Sequence, residues 1–123
     1  MICGGLSLST GDITDSCYMF NGDRMCLESR QSMLVKRVGH AICYLDHFIY
    51  VIGGKTNQMV CSKLCERYDI NQDRWEPISN LNYGRSRAGI TTFKHTHNTK
   101  SIYVFYGNDS IQITNHTIEK YSL

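Results

Sequence analysis

Apolar residues along this chain gather in short runs separated by turn-forming clusters. In the central third, "HAICYL" (40–45) and "FIYVIGG" (48–54) are near-continuous apolar stretches, the pattern of strands buried on both faces. "KLCERYDI" (63–70) alternates polar and apolar positions, and "RWEPIS" (74–79) is short and holds the only proline, Pro77, which is compatible with an edge strand. Leu-Asp-His, Lys-Thr-Asn-Gln, Asn-Gln-Asp and Asn-Leu-Asn-Tyr-Gly punctuate these runs and read as turns. No segment shows a sustained 3.6-residue apolar period with caps, so helix content is expected to be minimal. The pattern predicts four short antiparallel strands in this region.

The same order of features recurs on either side. Gly53-Gly54 has an earlier echo in Gly4-Gly5 and a later one in Gly107. Tyr18, Tyr68 and Tyr121 follow at similar offsets, separated by 50 and then 53 residues, the extra three lying in "KHTHNTK". Asp23-Arg24 matches Asp73-Arg74, which sets Met25 opposite Trp75 and Ser16 opposite Glu66, while Glu119 falls in the place of Glu66. Arg37-Val-Gly39 and Arg87-Ala-Gly89 open the next units. The third unit carries Tyr106 where the others have the first glycine. This register divides the chain into units at roughly 1–36, 37–86 and 87–123, with three, four and three strands. An all-β chain of four-stranded units at a period near fifty residues is expected to be a propeller, of which this chain holds about two and a half blades.

At these residues the chain resembles the kelch family: Gly53-Gly54 ending a strand, Glu66 and Tyr68 in "ERYDI", Trp75, and Arg87-Ala88-Gly89 opening the next unit. Tyr18, Tyr68, Tyr121 and Trp75 are expected to pack between blades, where each large ring buries about 150–250 Å². Two readings stand for the arginines. The resemblance implies that Arg37 and Arg87, with Arg85 adjacent, lie near a face that grips a partner, where a guanidinium can clamp a carboxylate or phosphate. The alternative is a salt bridge within or between blades, to Glu66 or Glu119. A closed ring needs at least four blades, so an exposed apolar blade face and unpaired strand edges are expected, with self-association through them.

Composition narrows the function classes. Thirteen Lys and Arg against eleven Asp and Glu leave a net charge of only +2, scattered along the chain, which does not make a nucleic-acid stripe. No apolar run reaches membrane-spanning length, and the N-terminus shows no signal peptide pattern, so the cytoplasm is the expected compartment. The six cysteines are then expected to be reduced and buried; the C-x3-C pair Cys61/Cys65 lacks a second ligand pair for zinc. The sequons at Asn108 and Asn115 carry little weight in a chain with no export signal. Gly53-Gly54-Lys-Thr is no phosphate loop, because Ile49 stands where its first glycine belongs and a strand follows the lysine. His95-Thr-His97 sits in a polar insertion and reads as a solvated turn, and no catalytic triad or paired-carboxylate motif is present.

The function expected from the resemblance is a non-catalytic protein-interaction module without metal or cofactor. Alternatives are the substrate-recognition part of a cullin-RING ubiquitin ligase adaptor, given a BTB domain upstream, and a fragment of a propeller enzyme, an oxidase or sugar isomerase.

Overall fold

The computed structural model describes residues 1–95, 99–111 and 113–122, and these form ten strands. Three antiparallel sheets follow one another along the chain. The first contains Ile2–Leu6 (β1), Ile13–Asn21 (β2) and Cys26–Arg30 (β3) in the order β1-β2-β3. The second contains Ala41–Leu45 (β4), Phe48–Ile52 (β5), Cys65–Asp69 (β6) and Arg74–Ile78 (β7), in chain order. The third contains Gly89–Lys94 (β8), Lys100–Phe105 (β9) and Ile118–Ser122 (β10). No helix occurs among the described residues. Three, four and three strands, each sheet an up-and-down meander, make a kelch propeller fragment, as the repeat predicts. Pro77 lies on β7, an edge strand.

Each sheet has a left face toward the preceding unit and a right face toward the following one. The middle sheet is covered on both. Ile49, Val51, Tyr68 and Trp75 pack leftward on Cys3, Cys17 and Met33. Ala41, Leu45, Tyr50, Ile52 and Cys65 pack rightward with Leu81, Ile102 and Val104. Only β5 has the two-faced burial that its apolar run predicts. β4 alternates instead, with Ile42 and Tyr44 exposed, because it is an edge strand whose main contact outside its own sheet is with β8.

The strand pairings revise the register of the first unit by two residues. Cys3 pairs with Cys17 as Ile52 pairs with Cys65, and Ile2 pairs with Tyr18 as Val51 pairs with Glu66. Tyr18 therefore stands in the place of Glu66, Phe20 in that of Tyr68 and Leu27 in that of Trp75. The turns agree: Asn21 Oδ1 accepts from the amides of Asp23 and Arg24 as Asp69 Oδ1 accepts from those of Asn71 and Gln72. The Asp-Arg match that aligned Met25 with Trp75 is a coincidence of composition. In the third unit the expected register holds, with Tyr121 opposite Ile102 as Tyr68 is opposite Ile49.

Candidate functional site

The arginines resolve into two kinds. Arg37 is fully buried, in the link between the first and second sheets. Its Nη1 donates to the carbonyls of Gly53 (2.6 Å) and Leu64 (2.7 Å), and its Nη2 to Glu66 Oε1 (2.7 Å). Its own carbonyl accepts from the Gly5 amide at 2.9 Å. One residue thus rivets two units, with its backbone on the first sheet and its side chain in the second. Arg85 repeats the arrangement one joint later. Its carbonyl accepts from Gly54 N (2.8 Å), and its guanidinium donates to the carbonyls of Tyr106 and Thr117, to Thr117 Oγ1 and to Glu119 Oε1 (2.6 Å). The structural partner of Arg37 is therefore Arg85, not Arg87. Both guanidiniums are shut off from solvent, so neither is available to a partner, and the salt-bridge alternative to Glu66 and Glu119 describes them. A buried charge persists only when paired and hydrogen-bonded, and these carboxylates are in turn held by link amides: Leu34 N on Glu66, Asn82 and Tyr83 N on Glu119.

Gly53 shows why the strand ends in glycine. Its φ is +63°, and a Cβ there would lie 2.5 Å from the Arg85 carbonyl. Gly4 has the same φ and the same relation to the Arg37 carbonyl. Of the two glycines that open later units, Gly39 has φ +65°, whereas Gly89 lies within β8 and pairs with Phe105. The position equivalent to Gly39 holds Arg87, at φ +56°. The Tyr68 and Trp75 rings lie 5.1 Å apart between centroids, tilted by 44°, and are buried in the first joint. Trp75 Nε1 donates to Gln31 O (2.8 Å), and the Tyr68 hydroxyl to Asp73 (2.6 Å). Burial, then Asp73, pushes the Tyr68 phenol up, while the tyrosine hydroxyl and the Gln31 amide hold the Asp73 carboxyl below its usual value. Tyr121 is half-buried in the second joint and donates to Ser79 O and Cys65 Sγ. Tyr18 is exposed on the outer face of the first sheet, since its true counterpart, Glu66, is a left-face residue.

The exposed arginine is Arg87, and it stands on a groove. The links before β4 and β8 pair with the β5–β6 and β9–β10 loops through two-bond bridges, Val38 with Lys55 and Ser86 with Asn108. These bridges bring the two links and the β5–β6 and β9–β10 loops to one end of the sheets. Between them runs a cavity of about 120 Å³ that includes Gly39, Lys55, Ser86 and Arg87. Val38 and Lys55 also line an adjacent open groove of about 560 Å³ that reaches Lys36, Asn57 and Asp12. Three cations, Lys36, Lys55 and Arg87, face this trough against one carboxylate, Asp12. The surrounding loops carry exposed apolar side chains, among them Leu8, Leu34, Met59 and Ile111. Lys36 and Lys55 carry no repeat signature; their only sequence signal is a place in the links and loops that the glycine register puts at one end of the blades.

Among the described residues, the remaining His, Cys, Asp and Glu side chains form no cluster able to hold a metal ion. All six cysteines are free, and four are buried; Cys43 is half-buried and Cys26 exposed, because it begins the edge strand β3. Burial raises the Cys43 thiol to about 11. Cys61 and Cys65 face different neighbours, Cys61 the Asn108 carbonyl and Ser86, Cys65 the Lys63 carbonyl and Tyr121. Cys3 lies across from Cys17 and 3.8 Å from His40 Nε2; the Cys17 thiol, then His40, push the Cys3 thiol below its ordinary value. His95 shares a hydrogen bond with Ser101 Oγ at 3.1 Å, and His97 lies outside the described residues.

Comparison with known proteins agrees with the blade geometry. The family model described as Kelch motif matches residues 36–82, from the first arginine link through the middle sheet. Kelch-like protein 40 of Xenopus laevis is 28% identical over 123 residues, covering 99% of this chain and 19% of its own length. Kelch-like protein 41b of Danio rerio is 24% identical over 90 residues, 73% of this chain and 15% of that protein. Kelch-like protein 25 of Homo sapiens is 31% identical over 70 residues, 50% of this chain and 12% of that protein. The chain thus spans less than a fifth of the length of these relatives. With the glycine-ended strands, the repeated arginine–glutamate joints and the matched motif, the chain belongs to the kelch-repeat family.

Proposed function

We propose that this chain is a non-catalytic protein-binding module whose loop end takes up an extended, acidic segment of a partner that also carries apolar side chains. The observation behind this reading is the trough joining the two loop bridges, with Lys36, Lys55 and Arg87 around it and exposed Leu8, Leu34 and Met59 on the loops and link that supply its lining. Cations on a concave surface favour a carboxylate-bearing ligand and raise its association rate. The apolar rim supplies the contact area that charge alone does not. In the cytoplasm, where this reading assigns the chain, the free thiols stay reduced. A role in a cullin-RING ubiquitin ligase adaptor is the form of this reading in which the trough holds the protein to be modified, and it requires a BTB domain in the same polypeptide.

The test is fluorescence polarisation with a labelled peptide alternating Glu and Leu, against a Lys–Leu peptide of the same length. Arg87→Gly removes the charge while supplying the residue that Gly39 occupies in the equivalent place. Binding of the acidic peptide, weakened about tenfold by Arg87→Gly or Lys55→Ala and weakened by salt, is the expected result. Equal binding of the basic peptide, or no response to either substitution, would sink the reading.

A further inference from the structure

The first joint carries reactive groups at positions that are filled elsewhere mostly by plain bulk. Cys3 and Cys17 stand directly opposite each other on β1 and β2, and both are buried in that joint. The same pair of positions holds Ile52 and Cys65 in the middle sheet, and Phe105 and Ile118 in the third. His40 immediately precedes β4, as Ala88 immediately precedes β8. The two are equivalent: a Cβ on Gly54 would meet His40 Cβ at 2.9 Å, and one on Gly107 would meet Ala88 Cβ at 3.1 Å. Filling these places asks only for apolar volume, which Ile52 and Ala88 supply. Of the two joints, only the first sets two thiols beside an imidazole.

The arrangement suits a thiol reaction. His40 Nε2 lies 3.8 Å from Cys3 Sγ, and the ring is lodged over Gly4, whose missing Cβ would fall 2.9 Å from His40 Cε1. His40 Nδ1 is buried with no hydrogen-bond partner among the described residues, so no carboxylate there fixes the charge of the ring. The Cys17 thiol, then His40, hold the Cys3 thiol below its ordinary value, and the thiolate is the form that attacks an oxidant. Cys3 keeps 8% of its surface exposed against 1% for Cys17, so Cys3 is the one that a small oxidant meets. Residues opposite each other in an antiparallel pair have Cα atoms about 4.5 or 5.5 Å apart, and a disulfide bridges about 4.4–6.8 Å. The sheet need not open for the two sulfurs to join.

We propose that Cys3 and Cys17 form a site of reversible oxidation by hydrogen peroxide, with His40 as the base. His40 Nε2 takes the proton of the Cys3 thiol. The thiolate attacks one peroxide oxygen and the O–O bond breaks, leaving a sulfenic acid on Cys3. The departing hydroxide takes the proton back from His40 and leaves as water. The Cys17 sulfur then attacks Cys3 Sγ, its proton passes to the departing hydroxyl, and a second water leaves as the S–S bond forms. Two thiols lose two electrons in all, and one peroxide is reduced to two waters. A dithiol reductant reverses the step by thiol–disulfide exchange, so in a reducing compartment the disulfide is transient.

The test treats the intact protein with hydrogen peroxide, denatures it in N-ethylmaleimide and maps it by mass after trypsin. Cys3 and Cys17 fall in one tryptic peptide, residues 1–24. That peptide is expected to lose two hydrogens and take no maleimide, while Cys43, Cys61 and Cys65 are labelled. Dithiothreitol before labelling is expected to restore both thiols. Cys17→Ala is expected to hold Cys3 as a sulfenic acid, trapped by dimedone, and Cys3→Ala to leave Cys17 a free thiol. His40→Gln is expected to slow disulfide formation about tenfold at neutral pH, and that gap to close as the pH rises and the thiol ionises without a base. A packing role for His40 would not give this pH dependence. Trp75 emission, from the same joint, reports whether each variant is folded, and His40→Asn replaces His40→Gln if it is not. A 1–24 peptide with both thiols labelled, a disulfide among Cys43, Cys61 and Cys65 instead, sulfinic acid on Cys3 with no disulfide, or a His40→Gln rate equal to that of the unmodified protein would each overturn the proposal.

Discussion

The two joints of this molecule use the same polar rivet and different apolar packing. In the first, Arg37 and Glu66 are sealed, and the joint is filled by Tyr68, Trp75, Met33 and two cysteines. In the second, Glu119 is slightly more open, Arg85 gains Thr117 Oγ1, and its Nε has no partner among the described residues. There Tyr50, Leu45, Leu81, Ile102 and Val104 fill the joint with Tyr121 packed against them, and Lys100 adds a 2.5 Å bridge to Asp46. The side chains between sheets therefore vary, while the geometry of link carbonyl, glycine and guanidinium does not. This follows from what each part must satisfy. Apolar surfaces need only be complementary in volume, whereas a buried guanidinium needs several acceptors at fixed positions.

Removing one member of a rivet is the largest way to break that likeness. Arg37→Ala leaves Glu66 buried without its charge partner, a loss of about 3–5 kcal/mol. This is comparable to the whole stability of a domain at the low end of the usual range, about 5–15 kcal/mol. Arg85→Ala does the same to Glu119. The two are distinguishable because the only tryptophan, Trp75, lies in the first joint. Arg37→Ala is expected to shift tryptophan emission to the red and Arg85→Ala to leave it nearly unchanged. Hydrogen exchange should then rise in β1–β3 for the first variant and in β8–β10 for the second. Identical responses in both probes would show that the joints do not act separately.

This comparison also shows what could be read before the structure. The ten strands, the three sheets and the Glu66–Glu119 correspondence follow from apolar runs and from residues with one physical job each. The first unit misleads because Phe20 and Leu27 do the work of Tyr68 and Trp75, while an accidental Asp-Arg pair sits two residues away. Arg85 and Arg87 flank one serine, and sequence spacing favours Arg87 as the repeat of Arg37. Only the three-dimensional path of the link shows that Arg85 reaches a carboxylate. Of the trough only Arg87 is marked in the sequence, by its place beside a repeat glycine; Lys36 and Lys55 come from separate segments and share no period with it.

Gly53→Ala tests the shared glycine geometry directly. Its Cβ would press on the Arg85 carbonyl, and φ +63° is itself disfavoured for alanine by about 1–2 kcal/mol. A loss larger than that, with Trp75 emission retained, is expected from chemical denaturation, because the second joint must spread. A loss no greater than the conformational penalty would mean that the carbonyl can move aside.

Trp75→Phe is a smaller probe, confined to the first joint. It keeps a ring against Tyr68 and removes the donor to Gln31 O, leaving that carbonyl short of one bond at a cost of about 1–3 kcal/mol. The corresponding contact in the second joint is made by the Tyr121 hydroxyl to Ser79 O. Tyr121→Phe is therefore expected to lower the melting temperature by a similar amount, and a much smaller shift would show that the second joint does not rely on an anchored ring.

The smallest effect distinguishes the joints by pH. Asp73 accepts from the Tyr68 hydroxyl and the Gln31 amide, which hold its carboxyl below the ordinary value of 3.8. A carboxyl lowered by folding stabilises the native state above its unfolded value, and that contribution disappears as the pH falls through the lowered native value. Asp46 in the second joint is lowered too, chiefly by its hydrogen bond from Lys100. Both groups lie near the surface, so solvent screening keeps the slopes shallow. Between pH 5 and 3, Asp73→Asn should flatten the loss of stability followed by Trp75 emission, whereas Asp46→Asn should flatten only the part followed by exchange of β8–β10 amides. If Asp46→Asn altered the tryptophan-detected slope as much as Asp73→Asn, the joints would titrate as one cooperative unit, and the separation seen with the arginines would be a property of large losses alone.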